Sequence, residues 1–176
     1  MHRFSATLSL LQPLLFSTYE AAGEFRLGKQ AGLALAVGVG AISLHKFDKT
    51  LPDEDARVWQ IGSQVRFYPV GSFEHGMQVG AEIFYLFGST SATGSIALGS
   101  GQTAPPGTLT ASGTGFKIGA FIGYKLVLPV GFTVDAQAGI GYLSMKGVAR
   151  DEAGNSKSAD YKSAIPLANA SVGWSF

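Results

Sequence analysis

Apolar and polar residues alternate with a period of two along most of the chain. Around residue 80, for example, Val79 and Ala81 stand on one side of the backbone and Gln78 and Gly80 on the other. Such alternation is typical of β-strands, whose successive side chains point to opposite faces of a sheet. The pattern predicts a single all-β domain over residues 1–176 with eight strands, at approximately residues 4–10, 18–27, 31–44, 57–68, 76–88, 114–128, 131–146 and 162–176.

The two faces of the predicted strands differ in charge. The apolar faces carry no charged residue, whereas the opposite faces combine small residues with Glu20, Glu24, Arg26, Arg66, Glu82, Lys117, Lys125 and Asp135. A lipocalin-like soluble barrel would turn its charged face to water, and a soluble sandwich would bury two apolar faces against each other. Small residues interspersed with long charged ones make a poor water-exposed surface and suit a narrow lumen. The pattern therefore favours a closed barrel with apolar side chains toward lipid, which satisfies every backbone group in hydrocarbon.

The predicted connections alternate between short and long. Residues 28–30, 69–76 and 128–131 form short turns, whereas residues 45–57, 88–115 and 146–162 are long and polar. Bacterial outer-membrane barrels have an even number of strands, short periplasmic turns and long extracellular loops, with both termini on the periplasmic side. The chain fits an eight-stranded antiparallel up-and-down transmembrane β-barrel. Residues 11–18 are the exception, because they are short and apolar where an extracellular loop is expected.

Aromatic residues on the apolar faces fall near the two ends of the predicted barrel. The group near the periplasmic end is Phe25, Phe67, Phe132, Trp174 and Phe176, and the group near the outer end is Tyr19, Trp59, Tyr85, Phe87, Phe116 and Tyr142. Aromatic side chains favour the boundary between lipid and water. We therefore expect two aromatic girdles.

The N-terminal segment has two interpretations. Met1–Arg3 followed by an apolar stretch to Phe16 resembles the charged and apolar regions of a secretory signal. The period of two over residues 4–10 indicates a strand instead, since a signal helix does not require it. The sequence alone leaves residues 1–16 open between strand one and a signal remnant.

Composition supports a membrane barrel and excludes several other classes. Only 14% of the residues are charged, whereas soluble domains average about 25%. The net charge of +1 comes from scattered cations, which gives no footprint for nucleic acid. The chain has no cysteine, so disulfides, thiolate metal sites and cysteine nucleophiles are excluded. We expect no metal and no cofactor, because the acidic run Asp53–Asp55 lacks the full ligand pattern of a calcium loop and no glycine-rich motif opens a helix.

The C-terminal strand carries the most specific local pattern. Asn169, Trp174 and Phe176 fit the polar-x-Gly-x-x-aromatic-x-Phe ending of small outer-membrane barrels, although Ser171 stands where glycine is usual. With this ending and its eight strands, the chain resembles the barrels of the OmpA and OmpX type. The resemblance implies insertion by the barrel assembly machinery into a Gram-negative outer membrane, and contact with its lipid and lipopolysaccharide. It implies no single activity, because this architecture serves anchors, adhesion factors, narrow channels and some lipid enzymes.

Turn lengths predict how the charged residues pair across strands. A turn centred on Lys29 places small residues opposite long charged ones, in the pairs Arg26–Gly32, Glu24–Ala34 and Glu20–Gly38. A turn centred on Val130 sets Lys125 opposite Asp135, which predicts a direct cross-strand ion pair. The lumen charges then form either a structural polar core or a gated ion path. Phe84, Leu86 and Phe121 also point inward and favour a plug.

Catalytic chemistry has two candidate residues. Ser43 and His45 share the outward face near the outer end of strand three, with acidic residues in the following loop. They resemble the serine and histidine of outward-facing lipid A deacylases of the PagL type. The order here is Ser-x-His, however, whereas that family has His-x-Ser, and spacing places no specific carboxylate. We therefore assign no catalytic residue and expect no enzyme.

The function that follows is an integral outer-membrane barrel with a side-chain-filled lumen. Its role is structural, or an interaction with surface or envelope proteins through the extracellular loops. A narrow ion or small-solute channel is the first alternative, and an outer-leaflet lipid A hydrolase is the second.

Overall fold

The computed structural model describes residues 2–12, 17–43, 55–94, 107–150 and 154–176. They form eight strands: β1 (Phe4–Ser9), β2 (Thr18–Arg26), β3 (Ala31–Ser43), β4 (Asp55–Gly71), β5 (His75–Gly94), β6 (Gly107–Val127), β7 (Phe132–Arg150) and β8 (Ser156–Ser175). Each strand pairs antiparallel with the next, and β1 pairs with β8 to close the ring. No helix in the described part of the chain is long and apolar enough to cross a membrane. The predicted eight-stranded up-and-down barrel is confirmed.

The direction of the side chains also agrees with the prediction. Val37, Ile83 and Ile122 point outward and are 50%, 55% and 61% exposed. Glu24 and Lys117 point into the lumen and are 3% and 8% exposed. A soluble barrel would reverse this distribution, because water lies outside it. The apolar exterior and charged interior are those of a barrel surrounded by lipid.

Strand one is confirmed and ends one residue before its predicted boundary. Phe4–Ser9 pairs with β2 on one side and with β8 on the other. Beyond Ser9, the amide of Leu10 donates a further hydrogen bond to the carbonyl of Ala170. The backbone amide and carbonyl groups of the even-numbered residues of β8 therefore point toward β1. Pro166 is one of these residues, and it lies farther along β8 than the described part of β1 extends. Proline has no amide hydrogen to donate, so position 166 contributes no hydrogen-bond donor toward β1.

The long connections are shorter than the sequence predicts. The β5–β6 hairpin is paired up to Gly94 and Gly107, and the β7–β8 hairpin up to Arg150 and Ser156. Residues 88–115 and 146–162 are therefore strand over much of their length. The prediction was wrong because apolar alternation marks only the lipid-facing part of a strand. Above that part most residues are small or polar and no longer alternate clearly, while the backbone ladder continues.

At the long-loop end, β5 to β8 continue well beyond the aromatic residues. The connections at the short-turn end span only residues 27–30, 72–74 and 128–131.

The predicted register is confirmed in both hairpins where turn length defined it. Arg26, Glu24 and Glu20 stand opposite Gly32, Ala34 and Gly38, and Lys125 stands opposite Asp135. Gly32 shows why small residues are needed on β3. A β-carbon at that position would collide with Oε1 of Glu24. The carboxylate of Glu24 occupies the space that any larger residue would fill.

Candidate functional site: the barrel lumen

Glu24 is the centre of a buried cluster in the half of the lumen near the short turns. Its Oε2 accepts hydrogen bonds from Nη1 of Arg66 at 3.1 Å and from Nζ of Lys125 at 2.8 Å. Its Oε1 accepts a hydrogen bond from the Tyr68 hydroxyl at 2.7 Å. All four side chains are buried. A carboxylate removed from water in this way keeps its charge only because each oxygen has strong donors.

Asp135 forms the second anionic centre of the cluster. It accepts hydrogen bonds from Nη1 of Arg66 and from the side-chain amides of Gln78 and Gln137. Arg66 therefore bridges two carboxylates, on β2 and β7, from its own place on β4. Its Nε and Nη2 also donate to Oε1 of Gln64, a combination that the single ammonium of a lysine would not provide.

The predicted direct ion pair between Lys125 and Asp135 is wrong. The two residues are opposite in register, but Nζ of Lys125 bonds to Glu24 and to the hydroxyl of Ser5 at 2.9 Å. The lysine side chain is long enough to cross the narrow lumen to β1 and β2. Asp135 is left to Arg66, which also approaches from across the lumen.

The network continues along the barrel axis toward the long-loop end. The guanidinium of Arg66 donates to Oε1 of Gln64, and Nε2 of Gln64 donates to Oε2 of Glu82 at 3.0 Å. Oε1 of Glu82 lies 3.0 Å from Nζ of Lys117. Polar contacts therefore connect Lys125 to Lys117 through a continuous series of buried side chains.

Two predicted members of the network are placed differently from the rest. Glu20 is buried and accepts a hydrogen bond from Nε2 of Gln60 at 2.7 Å. Among the residues that the structure describes, it forms no ion pair. Arg26 lies at the short-turn rim, where its guanidinium donates to the carbonyls of Gly28 and His2. Arg26 ends β2 beside the turn, so backbone carbonyls are nearer to it than the lumen carboxylates.

Two aromatic residues close the short-turn end, and the sequence analysis missed both. Tyr68 and Phe73 are completely buried, with ring centroids 6.1 Å apart in an edge-to-face arrangement. Nζ of Lys125 lies 3.7 Å from the centroid of the Phe73 ring. Tyr68 follows Gln64 and Arg66 at intervals of two residues, so the alternation of the strand indicates that its side chain points into the lumen. Phe73 lies in the turn between β4 and β5, where alternation carries none.

The other half of the lumen is filled mainly by apolar side chains. Phe84, Leu86, Val58 and Ala36 form one buried cluster. Nζ of Lys117 lies 4.2 Å from the centroid of the Phe84 ring. Between the two halves is a cavity of about 20 Å³, lined by Gln12, Gln64, Glu82, Lys117, Phe121, Gln137, Leu167, Ala168 and Asn169. A polar space of this size holds about one water molecule.

The described lumen carries three cations and four carboxylates. The cations are Arg66, Lys117 and Lys125, and the carboxylates are Glu20, Glu24, Glu82 and Asp135. Desolvation of such charges is offset only by good hydrogen-bond geometry, which the contacts above provide. The arrangement acts chemically as a rigid, nearly neutral filling.

The aromatic residues and the C-terminal pattern lie on the outer wall. Each predicted girdle residue is exposed on the apolar exterior: Tyr19, Phe25, Trp59, Phe67, Tyr85, Phe87, Phe116, Phe132, Tyr142, Trp174 and Phe176. The amide oxygen of Asn169 accepts a hydrogen bond from the hydroxyl of Ser9 at 2.6 Å. Ser171, which replaces the usual glycine, is buried in the lumen wall. Recognition of this strand by assembly machinery stays a prediction.

The structure does not describe the side chains of the two candidate catalytic residues. Ser43 is the last residue of β3, while its side chain and the whole of His45 lie outside the described residues. Asp53 also lies outside them. Within the described ranges, no three histidine and carboxylate side chains come together as a metal site would require. The lipid A hydrolase hypothesis stays a prediction, which mass analysis of lipid A from expressing cells would test.

Comparison with known proteins shows a likeness in structure. No protein-family model matches the chain, and no curated protein matches it. The chain is similar to the crystal structure of a major outer membrane protein from Thermus thermophilus, with a TM-score of 0.63 and 12% sequence identity. The likeness covers 100% of both chains. At this identity the likeness concerns architecture alone, and it shows that the chain has the fold of an outer-membrane β-barrel.

Proposed function

We propose that the protein is an integral barrel of a Gram-negative outer membrane whose lumen is closed by its own side chains. Its role is structural, or an interaction with surface or envelope proteins through the connections at the long-loop end. One observation carries the proposal: an apolar, aromatic-belted exterior encloses a lumen filled by ion-paired and aromatic groups. A filled lumen leaves the outer wall and the loops as the surfaces available to partners.

The same features support a set of partners. Exposed leucine, isoleucine and valine side chains match the hydrocarbon of the membrane, and the girdles match its two boundaries. Lipopolysaccharide would then surround the long-loop end. Asn169, Trp174 and Phe176 would serve as the signal read by the barrel assembly machinery during insertion.

Electrophoresis of membrane fractions with and without boiling tests the proposal. Folded barrels resist detergent at room temperature, so the unboiled sample should migrate differently from the boiled one. Proteolysis of intact cells should cut only the long-loop end. A product that stays soluble without detergent would overturn the proposal.

A narrow ion path is the second candidate, favoured by the continuous series of charged and polar side chains from Lys125 to Lys117. Ionisable residues inside a membrane can mark ion pathways. The complete burial of Tyr68 and Phe73 argues for closure instead. In planar bilayers, the path predicts single-channel currents that change in Lys125→Met or Asp135→Asn. Silent bilayers with correctly inserted protein would remove this candidate.

A further inference from the structure

The outer wall of the barrel contains a groove beside the aromatic residues at the long-loop end. It has a volume of about 570 Å³ and runs across β4, β5, β6 and β7. Its principal lining residues are Arg57, Trp59, Phe87, Ser89, Thr114 and Lys146. The lumen network does not use any of these side chains, because all of them stand on the outward face of their strands.

The register shows how apolar and cationic groups are combined in this groove. Trp59, Phe87, Thr114 and Lys146 form one row of neighbours across the four strands. Arg57 stands two residues beyond Trp59 toward the long loops, on the same outward face, and is opposite Ser89. The aromatic pair thus lies on the β4 side at the girdle. A guanidinium, an ammonium and two hydroxyls lie at or above the same level.

The charge on this part of the wall is predominantly positive. The exposed side chains of Arg57, Lys146, Arg150 and Lys162 all belong to the outward face at this end. Among the side chains that the structure describes there, Asp160 is the single carboxylate, and it stands opposite Lys146. Cations at a membrane boundary attract anionic headgroups, each contributing about 1 kcal/mol near a charged surface.

The spacing of the two cations gives room for a large headgroup. Arg57 and Lys146 lie on β4 and β7, so their backbone positions are three strand spacings apart, or roughly 14 Å along the wall at about 4.8 Å per spacing. This separation allows each side chain to hold a phosphate of its own. The groove fits a headgroup that carries two separated phosphates, with sugar hydroxyls near Ser89 and Thr114 and acyl chains passing Trp59 and Phe87.

We propose that this groove binds the diphosphorylated glycolipid of the outer leaflet, with Arg57 and Lys146 each holding one phosphate. The inference rests on the proposed function, since it requires the long-loop end to face that leaflet. Arginine and lysine form strong charge-assisted hydrogen bonds to phosphate. The hydroxyls supply additional donors, and the aromatic rings stack against the lipid at the depth where such rings are favoured.

The test compares three refolded barrels: the wild type, the double variant Arg57→Gln/Lys146→Gln, and the control Arg3→Gln/Lys29→Gln at the opposite end. Both double variants lose two positive charges from exposed positions. Each barrel is inserted into phosphatidylcholine vesicles and titrated with diphosphoryl lipid A, dephosphorylated lipid A and phosphatidylglycerol. Bound lipid per barrel gives the affinity, and migration before and after boiling verifies insertion.

We expect the wild type and the control to bind diphosphoryl lipid A at least tenfold more tightly than the groove variant, on the order set by two phosphate contacts. Dephosphorylated lipid A should bind the wild type as weakly as diphosphoryl lipid A binds the variant. Equal binding by wild type and groove variant would overturn the inference. The inference would also be overturned if phosphatidylglycerol bound as tightly as lipid A, or if the control lost as much affinity as the groove variant.

If all barrels insert and the groove variant binds lipid A as tightly as the wild type, only the proposed lipid site is refuted. If none inserts, the proposed function fails as well.

Discussion

Arg66 on β4 and Asp135 on β7 are joined by a hydrogen-bonded ion pair across the lumen, although their strands are not neighbours in the barrel. The same guanidinium nitrogen also bonds to Glu24 on β2. One side chain thus connects three sides of the wall. Its removal affects both carboxylates together.

Replacing Arg66 with methionine should be strongly destabilising, because Glu24 and Asp135 would stay buried with fewer donors. Breaking a buried ion pair from one side costs about 3–5 kcal/mol. Urea titration of the barrel in lipid vesicles, followed by the shift on unboiled gels, measures the change in the free energy of unfolding. Arg26→Met is the matched control, because within the described residues the Arg26 guanidinium bonds to backbone carbonyls at the rim, and we expect a loss below about 1 kcal/mol. Equal losses in the two variants would contradict the bridging role.

Phe73→Ala should open the short-turn end and lower the free energy of unfolding by about 3–5 kcal/mol, the usual range for a buried phenylalanine. The substitution removes a completely buried ring and its contact with the ammonium of Lys125. Val130→Ala serves as the control, since Val130 lies in another short turn and is 69% exposed. Comparable urea midpoints for Phe73→Ala and the wild type would show that the ring is not a structural plug.

Gly32→Ala should destabilise the barrel by about 1–3 kcal/mol, the cost typical of overpacking. The added methyl group would meet Oε1 of Glu24 and displace it from the Tyr68 hydroxyl. Gly28→Ala, four residues earlier, introduces the same methyl group where nothing lies within 4 Å. The difference between the two urea midpoints measures the close approach, and a harmless Gly32→Ala would disprove it.

Glu74 gives the short-turn end a dependence on pH. A hydrogen bond from the backbone amide of His2, at 2.8 Å, lowers the pKa of the Glu74 carboxyl below its ordinary value of 4.5. Because the folded pKa is the lower one, the stabilisation is present above pH 4.5 and is lost as the pH falls through the folded pKa. Glu74→Gln should therefore be slightly less stable than the wild type at pH 7, and the difference should shrink as the pH falls below 4.5. Urea titrations of both proteins across this range check the sign, and a difference that grows in acid would refute it.

The sequence predicted the architecture well because alternation assigns each residue to a face. Alternation alone predicted that three charged residues point into the lumen, and the structure confirms it for Lys117, Glu82 and Asp135. Turn length then fixed the pairing of Lys125 with Asp135. Both inferences depend on local backbone geometry, which a sequence pattern records directly.

The ionic partners were not predictable in the same way. Lys125 reaches Glu24 across the lumen, and that contact depends on barrel diameter and on which side chains cross. Phe73 enters the barrel from a turn, where no periodicity indicates a direction. The ends of β5 and β6 were misplaced because the serine- and threonine-rich extension has no apolar face to mark it. These features depend on which side chains meet across the closed barrel, or on backbone pairing of polar strand segments beyond the lipid-facing region.

The β5–β6 and β7–β8 hairpins carry the paired backbone of the long-loop end beyond the aromatic residues. A large molecule approaching along the membrane normal would meet these hairpins before it reached the lipid boundary. An epitope inserted beside Gly154, just before β8, should consequently be accessible to antibody on whole cells, whereas one inserted in the turn at residues 128–131 should not.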